Sequence, residues 1–231
     1  MTLDIRGGLK NTKISSNQYV VIEELLSNSI DSYLIRKSLE TNVPALSITF
    51  ELRFFKKTLL DDGEYDFDLA CIDNGAGFGP DQIRAFVTKD TSYKDYLEIK
   101  GIGKCKGAGR IQFFHYFRNL EVDSYYESDG AHKKCTLEVN EKDREVSEDA
   151  FKISKNSKDV VETKVRLFNL KEESYKKHHD LKSFRKDFSA SSIRKYIFVA
   201  FLQRFIILKK MIGDFSIIIN EYYDEIDEVS S

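Results

Sequence analysis

The residues whose types and spacing could do chemistry lie in separate stretches of the chain. In Asp73-Asn74-Gly75-Ala76-Gly77 a carboxylate closes the apolar run 67–72, and two glycines follow at i and i+2. An acid is a poor strand residue, and the glycines let the backbone turn sharply and let a flat group approach without meeting a Cβ. Taken alone, Asp-Asn-Gly is also a plain turn signature. Earlier, on a helical pattern beginning at Asn17, Glu24, Asn28 and Asp31 fall at about 0°, 40° and −20° around the helix axis. Glu23 points about 100° away from Glu24, which makes Glu24 the acid of that face. A carboxylate one turn before an amide pairs a base with a hard oxygen donor suited to Mg²⁺, although a solvated helix face has the same pattern. Later comes Gly101-Ile102-Gly103-Lys104-Cys105-Lys106-Gly107-Ala108-Gly109-Arg110. Its backbone N–H groups and the helix it enters suit anionic oxygens. Lys94, Lys104 and Lys106 are cations within reach, or simply solvated lysines.

These groups must be positioned by elements that the sequence outlines. Ile22, Leu25, Leu26, Ser29, Ile30 and Tyr33 form an apolar arc opposite Glu24 and Asn28, while Val20 fits the polar stripe poorly. Residues 46–54 alternate apolar and polar, as a strand with one wet face does, and 65–73 reads as its antiparallel neighbour across an Asp61-Asp62-Gly63 turn. Pro80 starts a short helix through Phe86. Residues 88–107 form a polar, glycine-punctuated connection long enough to be a lid. A helix over 108–117 and strands over 119–126, 132–139 and 160–168 follow, with a charged loop at 140–148. In the last of these strands Thr163 shares a face with Val161, Val165 and Leu167. Residues 174–210 read as one or two helices with Ile193, Ile197, Ala200, Phe201 and Phe205 in the core, and a strand over 215–219 precedes an acidic tail. Residues 1–16 show little periodicity and read as an arm or strap.

Composition sets the class. The 231 residues are 41% hydrophobic and 32% charged, enough for a sizeable core. Lys plus Arg total 36 against 38 acids, a net charge of −2, so there is no direct nucleic-acid signal. Cys71, Cys105 and Cys135 are widely spaced and signal neither a disulfide framework nor zinc. The four histidines, His115, His132, His178 and His179, lack metal-ligand spacing and read as structural or surface residues. With no signal pattern at the N-terminus and no membrane-length apolar run, a cytoplasmic protein is expected.

Taken in order, Glu24-Leu-Leu-Ser-Asn28-Ser-Ile-Asp31, Asp73-x-Gly75-x-Gly77 and the segment 101–110 resemble the motifs of the GHKL ATPases. That superfamily includes gyrase, MutL, heat-shock-ninety chaperones and histidine kinases. The resemblance covers roughly residues 17–170, and its acid before the asparagine places it with the MutL and heat-shock-ninety hydrolytic branch. The segment Lys106-Gly-Ala-Gly-Arg110 is similar to prokaryotic GHKL ATP-binding proteins, some of them in phage defence. It departs from the family's Gly-x-x-Gly-x-Gly, because in strict register Lys104 replaces the first glycine.

The resemblance implies an α/β two-layer sandwich of the Bergerat type over residues 1–172, a mixed sheet with helices on one face, and the helical pattern beyond it reads as an extension over 173–231 packed on that domain or following it. It implies ATP and Mg²⁺ as cofactors and slow hydrolysis acting as a conformational or dimerisation switch. Glu24 would be the general base and Asn28 the Mg²⁺ ligand. Asp73 would accept from the adenine amino group, with Gly75, Gly77 and Thr163 around the base and Asp31 in the pocket wall. Lys94, Gly101, Gly103, Lys104, Lys106, Gly107, Ala108, Gly109 and Arg110 would surround the phosphates. An ATP-dependent homodimer and an effector protein or domain are the implied partners. The alternatives are a non-hydrolysing nucleotide sensor or interaction module and a histidine-kinase-type phosphotransferase.

Overall fold

A computed structural model describes residues 2–56, 65–88, 97–103, 109–156, 159–171, 178 and 180–224. In chain order the elements are β1 (Thr2–Asp4), α1 (Ile5–Asn11), α2 (Val20–Leu39), β2 (Leu46–Lys56), β3 (Tyr65–Asp73), α3 (Pro80–Val87) and α4 (Gly109–Tyr116). They continue with β4 (Phe117–Ser128), β5 (Ala131–Asn140), β6 (Glu145–Ser147), β7 (Lys152–Lys155), β8 (Glu162–Leu170), α5 (Leu181–Phe188), α6 (Ala190–Ile212) and β9 (Phe215–Asp224). The protein is therefore α/β, with a seven-stranded sheet in the order β7-β5-β4-β8-β3-β2-β9 and a small pair, β1-β6. All neighbours in the large sheet are antiparallel except β2 and β9, which run parallel, so the sheet is mixed.

Strand alternation sorts the sheet into two faces. Ile48, Phe50, Leu52 and Phe54 of β2 are buried with Phe67, Leu69 and Cys71 of β3, in one core with residues of α2, α4, α5 and α6. The intervening positions carry charge and pair across strands, as in Lys164 with Glu51 at 2.7 Å and Arg166 with Asp68 at 2.6 Å. Register places Asp73 opposite Thr163, and Thr163 opposite Ser124, so three polar side chains lie in one row across β3, β8 and β4 on the helix-covered face.

The alternation in 46–54 and the apolar run that ends at Asp73 predict β2 and β3 to within two residues, whereas other readings need correction. Residues 2–11, read as part of an arm or strap, form β1 and α1. Leu3 and Ile5 are fully buried, and Asp4 caps α1 by accepting from the Gly7 N–H at 2.8 Å. An apolar pattern of two residues is too short to register as a periodicity. The 140–148 loop contributes β6, which pairs with β1. The last strand runs to Asp224 and joins the large sheet beside β2, and α5 and α6 contribute Phe184, Phe188, Ile193, Ile197 and Phe201 to the same core. Val20 is buried despite its place near the polar stripe, because α2 is enclosed on more than one side. Just before it, Tyr19 packs its ring 5.4 Å from Phe188 and 4.3 Å from Tyr196. The turn at 61–63 lies outside the described residues.

Aromatic packing carries α5 onto the sheet. Phe184 stacks on Phe188 with centroids 4.5 Å apart and meets the edge of Phe67 at 5.2 Å. Truncating a fully buried aromatic leaves a cavity as well as losing its transfer energy. Phe184→Ala is expected to destabilise the fold by about 3–5 kcal/mol in equilibrium denaturation. A loss below about 1 kcal/mol would mean that α5 is not part of the core.

Candidate functional site

Asp73 ends β3 with its side chain on the covered face, 6% exposed. Its Oδ2 accepts from Ser29 Oγ at 2.9 Å and its Oδ1 from the Gly75 N–H at 2.9 Å. Burial pushes its pKa up to about 6, even though both hydrogen bonds act to lower it, and Glu162 adds to the rise. The carboxylate is thus solvated by two fixed donors in place of water.

One flank of α2 holds the turn that follows. Ser29, Ser32 and Arg36 are spaced i, i+3, i+7 and so project from the same side of the helix. Ser32 accepts the Ala76 N–H through Oγ at 3.0 Å and through its carbonyl at 3.2 Å. Arg36 Nη1 donates to the Asn74 carbonyl at 3.0 Å. The Asn74 side chain then reaches back to β2, accepting from Ser47 N–H and donating to the Ala45 carbonyl, each at 2.9 Å. Gly75 lies so close to the helix that a Cβ would come 2.3 Å from Ser32 Oγ. Gly77 has φ +76°, and a Cβ there would come 2.7 Å from Tyr126 Cβ. Both glycines are therefore required by the turn itself, one by contact and one by conformation as well.

Beside Asp73, Thr163 Oγ1 and Ser124 Oγ share a hydrogen bond at 2.8 Å, and Ser124 also accepts the Phe78 N–H at 2.9 Å. Asp73, Phe78 and Thr163 border a cavity of about 440 Å³ that is also lined by Glu24, Asn28, Asp31, Gly77, Gly103, Gly109 and Arg110, with Ser124 behind Thr163. Small-molecule sites commonly span about 300–1,000 Å³, so the space suits a ligand of nucleotide size.

The second flank of α2 carries the acid and amide. Asn28 is exposed and Glu24 half-buried. Glu24 lies against the start of α4: a Cβ on Gly109 would come 2.0 Å from Glu24 Oε2. Asp31 differs from its neighbours on the wheel in being buried, 2% exposed. It accepts from the Gly103 N–H at 3.0 Å and pairs with Arg204 of α6. Glu23 is not idle either, since it also borders the cavity and its carboxylate accepts from the Tyr196 hydroxyl.

The cavity thus brings together Glu24, Asn28, Asp31, Asp73, Gly77, Thr163, Gly103, Gly109 and Arg110. Gly75 lies in the turn behind it. Gly101 is packed 3.1 Å from Met211 Sδ at its Cβ position, on the α6 side. Arg110 lines the cavity with its guanidinium tied to α3, donating to the Ala85 carbonyl at 2.8 Å, to that of Thr88 at 3.0 Å, and to that of Phe86. It closes the end of α3, as a cation there does well. Lys94, Lys104, Lys106, Gly107 and Ala108 lie outside the described residues.

Ser29, Ser32, Arg36, Ser124 and Arg204 escape the sequence reading. Ser29 falls within the apolar arc of α2, where a buried hydroxyl has to find a partner, and that was the available signal. Ser124 alternates with Leu120, Val122 and Tyr126 in the same way. Among the described residues no group of three His, Cys, Asp or Glu could hold a metal unaided, and no helix is long and apolar enough to cross a membrane. His115 is structural, with Nε2 2.7 Å from the Thr12 carbonyl and its pKa lowered by burial. The sequence matches no protein-family model and shows no significant similarity to a curated protein.

Burying Asp73 has a measurable sign. Its folded pKa lies above the ordinary 3.8, so the folded state holds the proton more tightly, and the stability present below pH 4 is lost as pH rises through 6. Asp73→Asn removes that loss. The stability difference between Asp73→Asn and wild type should therefore grow in favour of the variant by about 2–3 kcal/mol between pH 4 and pH 7. Urea titrations at the two pH values check this, and a difference independent of pH contradicts it.

Proposed function

We propose that the cavity binds ATP with Mg²⁺ and hydrolyses it slowly, as a conformational switch of the GHKL type on a Bergerat-type α/β sandwich. The observation that carries this reading is Asp73. It is a buried carboxylate held in place by Ser29 and Gly75, next to Thr163, on the rim of a cavity whose other flank presents Glu24 and Asn28. A fixed acceptor there reads the amino group of adenine. Guanine offers a carbonyl at that position and would leave two acceptors face to face.

The charge of the lining favours a metal-neutralised ligand. Glu23, Glu24, Asp31 and Asp73 border the cavity against Arg110 and Arg204, both of which already serve protein groups. A bare triphosphate meets more carboxylates than cations. Mg²⁺ would offset that charge and polarise the phosphates, and it needs few protein ligands when phosphate oxygens and water fill the rest of its shell. The exposed amide of Asn28 supplies a hard oxygen for it, and Glu24, one turn earlier, is placed to take a proton from water. An ATP-dependent homodimer and an effector partner belong to the same proposal.

The contact between Glu24 and Gly109 favours a second reading, a nucleotide sensor that does not hydrolyse. There Glu24 would act only as a brace for α4. Replacement of Glu24 by Ala separates the two. As the base, it is expected to leave ATP binding intact and slow phosphate release by roughly 10²- to 10⁴-fold; release at the wild-type rate removes Glu24 from catalysis. Asp73→Ala should instead weaken ATP binding by roughly 1.5–3 kcal/mol in calorimetry, and unchanged affinity would sink the adenine assignment.

A further inference from the structure

We propose that Arg204 is the residue of this cavity that reads the terminal phosphate, a preorganised anion receptor delivered by α6 and held in place by Asp31. The inference rests on the nucleotide reading above, but its evidence is separate.

Arg204 sits where a long cation is not expected. Ile193, Ile197, Phe201 and Leu208 are the buried positions of α6, and Arg204 falls three after Phe201 and four before Leu208, on the same stripe. Its side chain is only 20% exposed, and that of its partner Asp31 is 3% exposed. Burying two charges to join α6 to α2 is a poor source of stability, because desolvation offsets most of the attraction. An apolar pair would serve that purpose as well.

The geometry points to what the cation faces. Both hydrogen bonds of Arg204 among the described residues run through Nη2, to Asp31 and to the Gly101 carbonyl at 3.4 Å. A guanidinium carries five N–H donors, so those on Nε and Nη1 are taken by no described protein group. Nη1 lies by the backbone of Gly103, where even a Cβ would come within 3.7 Å, and Gly103 itself donates to Asp31. The guanidinium borders the same cavity as Glu24 and Asn28, on the flank of α2 turned away from Asp73. A planar fork with donors to spare matches the oxygens of a phosphate. Asp31 fixes its orientation and offsets its charge until the anion arrives.

Calorimetric titrations of wild type, Arg204→Gln and Arg204→Lys with Mg-ATP and with adenosine test this. Arg204→Gln is expected to lower Mg-ATP affinity by roughly 10-fold or more and leave adenosine affinity unchanged. Arg204→Lys keeps the charge beside Asp31 but loses the fork, and it should also fall short of wild type with Mg-ATP. Equal losses for Mg-ATP and adenosine would assign Arg204 a purely structural role, and wild-type Mg-ATP affinity in both variants would overturn the proposal outright. If Arg204→Gln does not fold because Asp31 is left unpaired, Asp31→Asn/Arg204→Gln removes both charges and is held to the same expectation. If wild type binds no adenine ligand, the nucleotide reading fails by itself, and Mg²⁺ with inorganic triphosphate becomes the probe. Binding that is lost in Arg204→Gln then sustains the anion receptor, and no binding by wild type overturns it.

Discussion

A carboxylate buried at the end of a central strand is the constraint on which the rest of the site depends. Ionised Asp73 is costly in that position unless fixed donors replace its water, and the chain supplies them from opposite directions. Ser29 comes from α2 and Gly75 from the residue pair beyond the strand. Each bond carries a structural demand. Ser29 can donate only if α2 lies directly over the end of β3. Gly75 can donate only if the chain folds back on itself so tightly that no side chain fits beneath Ser32. The position of the longest helix before the sheet and the shape of the turn are therefore set by the same acid.

From that contact the remaining geometry follows around α2. The flank with Ser29, Ser32 and Arg36 is committed to the turn, and the adjacent flank with Glu24, Asn28 and Asp31 is left facing the cavity and the two segments that close it. Gly109 closes it at Glu24. Gly103 and α6 close it at Asp31, so that a helix from the last third of the chain becomes a wall of a site begun by residue 24. Because β9 extends the large sheet next to β2 and α5 packs its phenylalanines on Phe67, α6 is fixed to the same body as the site. Any ligand that moves Arg204 acts directly on the packing of α6.

Local pattern made much of this legible. Alternation places β2 and the apolar run before Asp73 places β3, and the Asp73 to Gly77 stretch is conspicuous because an acid and two glycines interrupt a strand. The wheel for α2 turns Glu23 away from Glu24, yet both border the cavity, and it assumes one buried arc. The helix is apolar and enclosed over most of its circumference, so Asp31 and Val20 are buried where the wheel leaves them wet. Partners distant in sequence were not legible. Ser124 and Thr163 meet only through the β4–β8 register, Arg204 reaches Asp31 across the whole domain, and β1 finds β6 across more than a hundred residues. Each is a short polar or apolar signal whose meaning comes from the strand or helix packed against it. The cationic part of the glycine-rich segment, Lys104 to Ala108, lies outside the described residues, so the described lining at that end of the cavity is Gly103, Gly109, Asn28 and Arg204.

The central claim is that Asp73 makes this cavity a reader of adenine. The measurement that bears on it most directly is a pair of calorimetric titrations of the wild-type chain, one with ATP and one with GTP, each with Mg²⁺ in excess. The account predicts saturable binding of ATP and an affinity for GTP lower by roughly 10-fold or more, the cost of an unpaired buried acceptor. Equal affinities for the two nucleotides, or no binding of either, would contradict it.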